Sequence, residues 1–279
     1  MNKIKIITDS TADLPKHIVD KYDIEVLPLY VGFEGKTYSD GVDINLHELL
    51  NKMDNSDVFP TTAQVNPQRF MEAYRKYLNE GYTIVSLHLS SKMSGTYQSA
   101  CIARDMLESD SIYVIDSQNV TMSFGLLVIK AARLKEAGLK ADEIYDEVKK
   151  AIPHVKCAFA FDSLDNLVKG GRLSKTAGVI GTILGIKPIL SIVNGEMAVI
   201  DRVRGSKKAI RYILDYIDEI GVNKEETAVL LHVDNKDILE NLRENLKDKI
   251  DDFIECEVGC VVGVHSGKGA CGVVFIENY

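Results

Sequence analysis

The sequence predicts an α/β protein of two domains, and three observations carry that reading. Apolar, β-branched runs alternate with helix-period segments up to about residue 153, the order expected of a mainly parallel sheet with covering helices. Beyond Pro153 the pattern shifts to short strands, a hairpin signal and three helices, the order of a mixed sheet. A chain of 279 residues is also longer than one small core organises. The expected division is an N-terminal α/β domain over 1–153 and a C-terminal α/β domain over 154–279.

Residues 3–7 read as a buried strand running into Thr8-Asp9-Ser10-Thr11, and Asp13 is expected to cap a helix with Pro15 in its first turn. Residues 25–31 form a second extended run, interrupted by Pro28 as an edge or irregular strand would be. Residues 33–43 read as turns, and Leu46, Leu49, Leu50 and Met53 mark a short amphipathic helix. Asn66 and Pro67 suit the N-cap and first turn of a helix that runs through Leu78 and ends near Gly81.

Residues 82–89 are a β-branched strand. They lead into a hydroxyl-rich loop, Ser90-Ser91-Lys92-Met93-Ser94-Gly95-Thr96, and then into a helix with Tyr97, Ala100, Cys101 and Leu107 on one face. A strand over 111–115 and helices over 121–137 and 141–151, parted by Gly138, complete the first half. In the second half, strand 154–161 precedes a short helix within 164–173 closed by glycine. Asn194-Gly195 joins strands 187–193 and 196–203 as a hairpin. Helix 206–220, strand 227–233, helix 236–249 and strand 253–256 follow, with further strands expected at 260–264 and 272–276.

Composition excludes several classes. The net charge of −8, without a basic tract, argues against a nucleic-acid partner. No apolar run is long enough to span a membrane, and the first residues lack an export signal, so a cytoplasmic location without membrane insertion is the expectation. Five cysteines, an odd number with no C-x-x-C, read as buried thiols.

Familiar motifs fail on inspection. Gly267-Lys268-Gly269-Ala270-Cys271-Gly272 has the G-x-G-x-x-G spelling, but a strand rather than a helix follows it, and the phosphate-loop spacing is also wrong. The histidines form no zinc-type cluster, so no metal is expected. Asp9 and Asp116 each end a strand, where turn formation is the commoner use of an aspartate than cation binding. There is no nucleophile elbow.

Three loops share one chemistry: Thr61-Thr62 after Pro60, Ser94-Gly95-Thr96, and His265-Ser266-Gly267. A helix N-terminus after a parallel strand offers free N–H groups to an anion, although Ser and Thr there serve equally as ordinary caps. Converging, the three loops would hold a carboxylate or a phosphate with mostly neutral donors.

With these segments in view, the chain resembles the DegV family. The resemblance is carried by Thr8-Asp9-Ser10-Thr11-Ala12-Asp13-Leu14-Pro15, Pro60-Thr61-Thr62-Ala63-Gln64-Val65-Asn66-Pro67, Leu89-Ser90-Ser91-Lys92-Met93-Ser94-Gly95-Thr96-Tyr97, Gly170-Gly171-Arg172-Leu173 and Gly263-Val264-His265-Ser266-Gly267. It implies a bacterial two-domain protein that binds one fatty acid between its domains, without chemistry or cofactor of its own. Members of the FakB type present the acyl carboxylate to a separate fatty acid kinase, which makes the acyl phosphate used in phospholipid synthesis. On that resemblance the carboxylate contacts are Thr61 or Thr62, Ser94, Gly95, His265 and Ser266, and Arg172 and Arg202 face the kinase. Two departures stand out: Thr61-Thr62 replaces a Thr-Ser pair, and Lys268 stands where a Gly-Pro-Gly turn is common, near the expected pocket mouth.

Physical chemistry is consistent with this reading. A carboxylate that must later attack a phosphate is better held by hydroxyls and N–H groups than by a bidentate arginine, which would draw off its charge. At about 0.8 kcal/mol per methylene, a tail of about fifteen methylenes represents roughly 12 kcal/mol before entropy costs. The glycine-spaced apolar run 176–186, with Val179, Ile180, Ile183 and Leu184, and the residues Met122, Phe124 and Leu127 are candidates to line the channel, with ordinary core packing the favoured role of any single one. Two other classes remain open: an enzyme using His265 as general acid or base on an acyl or phosphorylated substrate, and a regulator binding a polar small molecule.

Overall fold

The computed structural model describes residues 3–174, 185–247, 250 and 253–279. Strands β1 (Lys3–Asp9), β2 (Glu25–Leu27), β6 (Tyr82–His88) and β7 (Ile112–Asp116) form a wholly parallel sheet in the order β2-β1-β6-β7. Strands β3 (Tyr30–Phe33), β4 (Lys36–Ser39) and β5 (Thr61–Ala63) form a small antiparallel sheet. The third sheet has six strands: β8 (Val155–Ala160), β9 (Ile186–Val193), β10 (Glu196–Arg204), β11 (Ala228–His232), β12 (Phe253–Glu257) and β13 (Cys271–Ile276). Their order is β10-β9-β8-β13-β11-β12, and only the β11–β12 pair is parallel, so the sheet is mixed as the sequence predicts.

The helices are α1 (Lys16–Tyr22), α2 (Leu46–Asp54), α3 (Pro67–Asn79), α4 (Thr96–Leu107), α5 (Met122–Glu136), α6 (Ala141–Ala151), α7 (Asp165–Lys169), α8 (Ser206–Ile220), α9 (Lys236–Leu246) and α10 (Cys260–Ser266). Local chemistry explains several boundaries. Asn66 Oδ1 accepts the Arg69 N–H at 3.0 Å with Pro67 in the first turn, and Asn45 and Glu48 cap α2 reciprocally. Asn194 (φ 50°) and Gly195 (φ 83°) both adopt the left-handed conformation that a two-residue hairpin between β9 and β10 requires.

The parallel sheet is covered on both faces. Ile7 and Ile84 pack beneath α3 and α4 with Phe70 and Tyr74, while Ile6 and Val85 share a core with α5 and α6. Helix α5 also packs against β8, β11 and β13, so it lies between the two large sheets. Further ties run from Lys130 to Glu226 at 2.6 Å, from Arg133 to Thr227 at 2.7 Å, and from Ser90 Oγ to the Gly195 carbonyl at 2.7 Å.

Three expectations are corrected. Residues 260–264 are not a strand but the body of α10: the segment leaves the sheet after β12 and packs on α2, with Gly263 pressed so close to Leu46 that a methyl there would overlap it. That contact overrides the β-preference of Val261, Val262 and Val264. Asp13 does not cap α1, whose N-cap is Pro15; its carboxylate is drawn across the molecule instead. Residues 33–43 contain strand β4 as well as turns, paired with β3, itself short enough to leave little alternation to read. Met122, Phe124 and Leu127 take the favoured role of core packing: they are fully buried between the sheets and line no part of the cavity described below, as suits a helix apolar on nearly every side. Of the apolar run, Gly178, Val179, Ile180, Gly181, Ile183 and Leu184 lie outside the described residues.

Candidate functional site

Where the loops at the carboxyl ends of the parallel strands meet the central strands β8, β13 and β11 of the mixed sheet, they enclose a cavity of about 360 Å³. Open α/β sheets bind ligands at the carboxyl ends of their strands. Most of the wall is apolar, with Leu29, Leu89, Phe159, Phe161, Met197 and Leu231 among its residues. The polar groups gather from β5, the loop before α4, the segment after α7, and α10: Thr62, Ser94, Gly95, Arg172, His265 and Ser266 all reach the same space.

Thr62 and Thr61 part company because neighbours on a strand face opposite ways. Thr62 Oγ1 lies 2.9 Å from His265 Nε2. Thr61 is exposed, and its hydroxyl points at the Gly32 carbonyl, 3.4 Å away. His265 is the centre of the polar end. Burial, reinforced by the positive charge of Arg172, lowers its pKa to about 4, so the ring is neutral at pH 7. Its Nδ1 is buried without a partner and faces Gly170, where a methyl group would overlap the ring. An orphan lone pair is tolerated better than an orphan N–H, which assigns the proton to Nε2. Nε2–H then donates to Thr62 Oγ1, and the Thr62 hydroxyl proton is left to point into the cavity.

Ser94 Oγ lies 3.0 Å from Thr96 Oγ1 and accepts the Thr96 N–H at 3.3 Å. Gly95 is the N-cap of α4 and has no side chain of its own to cap that end, so the Ser94 hydroxyl one position earlier takes up the first N–H of the helix. A Cβ at Gly95 would overlap the carboxamide of Gln64, whose Nε2 donates to Ser99 Oγ at 2.9 Å. Gln64 also lines the cavity. Sequence reasoning passed over it, although it stands within the Pro60–Pro67 motif. Ser266 reaches the cavity, yet its hydroxyl donates back to the Val262 carbonyl at 2.9 Å, so its proton is committed within α10.

Arg172 was expected at a partner-facing surface, and it stands in the cavity wall. Its Nε donates to the Met93 carbonyl at 3.1 Å and its Nη1 to the Gly170 carbonyl at 2.7 Å. No carboxylate pairs with it among the described residues, so a desolvated positive charge sits beside neutral donors. Arg202 is exposed on β10, away from this space. Lys268 is not at the cavity mouth: it forms an ion pair with Asp54 of α2.

Asp9 and Asp116 accept turn-type hydrogen bonds from Thr11 and Gln118, two residues on, and also tie loops together: Asp9 accepts the Leu89 N–H and lies 3.0 Å from the Nδ1 of buried His88, and Asp116 accepts from Ser91. Among the described residues no group of three or more His, Cys, Asp or Glu side chains is placed to hold a metal ion. Nor is any described helix long and apolar enough to cross a membrane. The cysteines are all unpaired thiols, with Cys256 half-buried and the other four buried.

A family model described as "Uncharacterised protein, DegV family" matches residues 3–278. The chain belongs to the DegV family. A DegV domain-containing protein of Clostridium acetobutylicum is 60% identical over 279 residues, covering 100% of both chains. Among solved structures, a DegV family protein from Thermus thermophilus, described by its fatty acid binding, is 31% identical with a TM-score of 0.93, over 99% of this chain and 100% of that one. DegV of Bacillus subtilis, described as a fatty acid binding protein, is 30% identical with a TM-score of 0.87, over 100% of both chains. These DegV structures share the combination of parallel sheet, mixed sheet and covering helices seen here.

Proposed function

We propose that this DegV protein buries one long-chain fatty acid in its cavity and presents the carboxylate to a separate fatty acid kinase. The observation that carries the reading is the make-up of the cavity: a mostly apolar wall with a polar cluster, where Thr62, Ser94 and the first turn of α4 supply neutral donors and Arg172 is the one lysine or arginine among the described lining residues. An alkyl tail gains from leaving water along such a wall. Its carboxylate needs donors that satisfy it without quenching it as a nucleophile. The fatty acid binding described for the Thermus thermophilus and Bacillus subtilis relatives supports the same occupant.

In this reading Thr62, Ser94, Gly95 and His265 are the carboxylate end, with Ser266 behind them. Thr61 stays outside, and Arg202 is the outward-facing contact for the kinase. The protein does no chemistry of its own, takes no cofactor and works in the cytoplasm, and the chain divides near residue 153 into the halves that enclose the ligand. Native mass spectrometry of the purified protein, followed by lipid extraction, tests the occupant: one fatty acid per chain is expected, and a sugar or nucleotide would overturn the reading. Incubation with ATP and fatty acid tests the division of labour. Acyl phosphate is expected only when a kinase is added, and its formation by this protein alone would make it the enzyme.

A further inference from the structure

The helix that carries His265 starts where the chain leaves the mixed sheet, and its first turn is gripped by two acids from the other half of the sequence. Asp13 Oδ1 accepts the Gly259 N–H at 2.8 Å, across 246 positions. Asp40 Oδ1 accepts the Cys260 N–H at 2.8 Å, across 220 positions. Their second oxygens are also engaged, by the Thr121 hydroxyl at 2.6 Å and the Ser10 hydroxyl at 2.8 Å. A Cβ on Gly259 would lie 2.8 Å from Asp13 Oδ1 and 3.3 Å from both Asp40 oxygens, so only glycine lets both acids approach.

A helix start that needed nothing but capping would be served by one Ser, Thr or Asn at the N-cap. Here the N-cap is Gly259, without a side-chain cap, and two carboxyl groups are buried to 9% and 3% exposure. Among the described residues, no basic side chain figures in the largest influences on either one. Placing two like-charged groups around one glycine is costly, and the arrangement joins features that the ligand would feel. Thr121 and Val258, on either side of the clamp, line the cavity, and Thr121 is held at φ 54°. His265 follows Cys260 by five positions along α10, about one and a half turns.

We propose that Asp13 and Asp40 are positioning residues for the ligand's carboxylate: by fixing the first turn of α10 against the loops after β1 and β4, they set His265 over Thr62. The inference rests on the fatty-acid reading above. Closure of the mixed sheet onto the parallel sheet and assembly of the carboxylate end are then one event, because the same helix takes part in both. Coupling of this kind is reciprocal, so an occupied carboxylate end tightens the hydrogen bonds of the Gly259 and Cys260 N–H groups.

The test is a double-mutant cycle read by displacement of a fluorescent fatty acid, with folding followed by circular dichroism. Asp40→Ala is expected to weaken binding at least tenfold. Asp40→Asn, which keeps an acceptor for the Cys260 N–H and a partner for Ser10, should restore most of that loss. In a His265→Ala background, Asp40→Ala should change affinity less than twofold, because its effect passes through the histidine. A full tenfold loss in that background would show a merely structural role and overturn the proposal. The unmutated protein supplies a readout that needs no variant: fatty acid should slow amide exchange at Gly259 and Cys260 at least tenfold more than in β8, and equal slowing would overturn the proposal. If the unmutated protein binds no fatty acid, the functional reading falls and takes this one with it. Binding with additive mutational effects sinks the positioning role alone.

Discussion

Thr62 Oγ1 and His265 Nε2 meet at 2.9 Å although 203 positions separate them. One stands on the short strand β5, the other on the last turn of α10, and neither element was assigned its observed form from sequence. The contact exists because β5 and α10 both pack beside β3. It divides two adjacent threonines into one that faces the cavity and one that faces solvent.

That division gives the first expected outcome. Thr62→Val keeps the shape and removes the hydroxyl, so fatty-acid affinity should fall by about 1–3 kcal/mol, the cost of leaving a buried polar group unmet. Thr61→Val should leave affinity within about twofold, since a surface change away from such a group stays within about 0.5 kcal/mol. Isothermal titration of both variants checks the pair, and equal losses would place both hydroxyls in the site.

Gly170→Ala tests the other side of the histidine. Gly170 has an ordinary φ of −76°, so a methyl there brings no backbone strain; its severe overlap is with the imidazole, with a milder approach of 3.1 Å to the Asn166 carbonyl. Because Nδ1 has no partner to hold it, the ring should yield and abandon Thr62. Binding should weaken by about tenfold, or about 1.4 kcal/mol. The same substitution in a His265→Ala protein should change affinity little, since the ring it displaces is gone. A loss of equal size there would trace the effect to α7 rather than to His265.

These contacts also show what the sequence could and could not disclose. The strands and helices of the parallel sheet were legible because β-branched runs and helix-period segments alternate, with Asn66-Pro67 as local punctuation, and Asn194-Gly195 marked the β9–β10 hairpin of the mixed sheet in the same way. The three hydroxyl- and glycine-bearing loops were legible as chemistry, and Thr62, Ser94, Gly95, His265 and Ser266 do converge. Helix α10 was hidden because its Cys-Val-Val-Gly-Val sequence favours a strand locally, and what makes it helical comes from Leu46, Asp13 and Asp40, far away in the chain. The place of Arg172 in the cavity wall was hidden for a related reason. Its side chain is turned inward by the Met93 carbonyl, a partner that no local pattern announces.

The pKa shifts of His265 and Asp13 predict opposite pH trends. Burial first, then Arg172, lowers His265 to about 4 in the folded protein, against about 6.5 when unfolded. The unfolded chain therefore binds the proton first, and stability present above pH 6.5 is lost as pH falls towards 4, by up to roughly 3 kcal/mol. Asp13 is raised well above the ordinary carboxylate value, chiefly by burial, with Asp40 and Asp9 adding to the effect. Its contribution is greatest below that ordinary value and declines as pH rises through its folded pKa. Denaturation of ligand-free protein between pH 7 and pH 4 should show the His265 limb, and His265→Gln should flatten it. A variant whose acid limb matches that of the unmutated protein would mean that His265 is free to protonate in the fold.

Ser94→Ala probes the N-terminal side of α4. Its Oγ accepts the Thr96 N–H, so the substitution removes a local cap as well as a donor for the ligand. Both losses should appear, but in different measurements: about 1 kcal/mol in stability from the cap, and about 1–3 kcal/mol in fatty-acid affinity from the donor. A stability loss with unchanged affinity would leave Ser94 as a cap alone.

The two arginines separate binding from presentation. Arg172 brings a charge into a desolvated wall where no acid among the described residues answers it, and at an effective dielectric near 20 such a charge several ångströms from a carboxylate is worth about 2 kcal/mol. Arg172→Met, which keeps the length and removes the charge, should therefore weaken fatty-acid binding by an order of magnitude. It should also let the His265 pKa rise, since the guanidinium is the second cause holding it down. Arg202 is exposed on β10 and lines no part of the cavity, so Arg202→Ala should leave affinity unchanged while slowing acyl phosphate formation by an added kinase. Turnover unaffected by Arg202→Ala would remove it from the partner surface. Affinity unaffected by Arg172→Met would return Arg172 to the outward role that the sequence suggested, and would mean that uncharged donors alone hold the carboxylate.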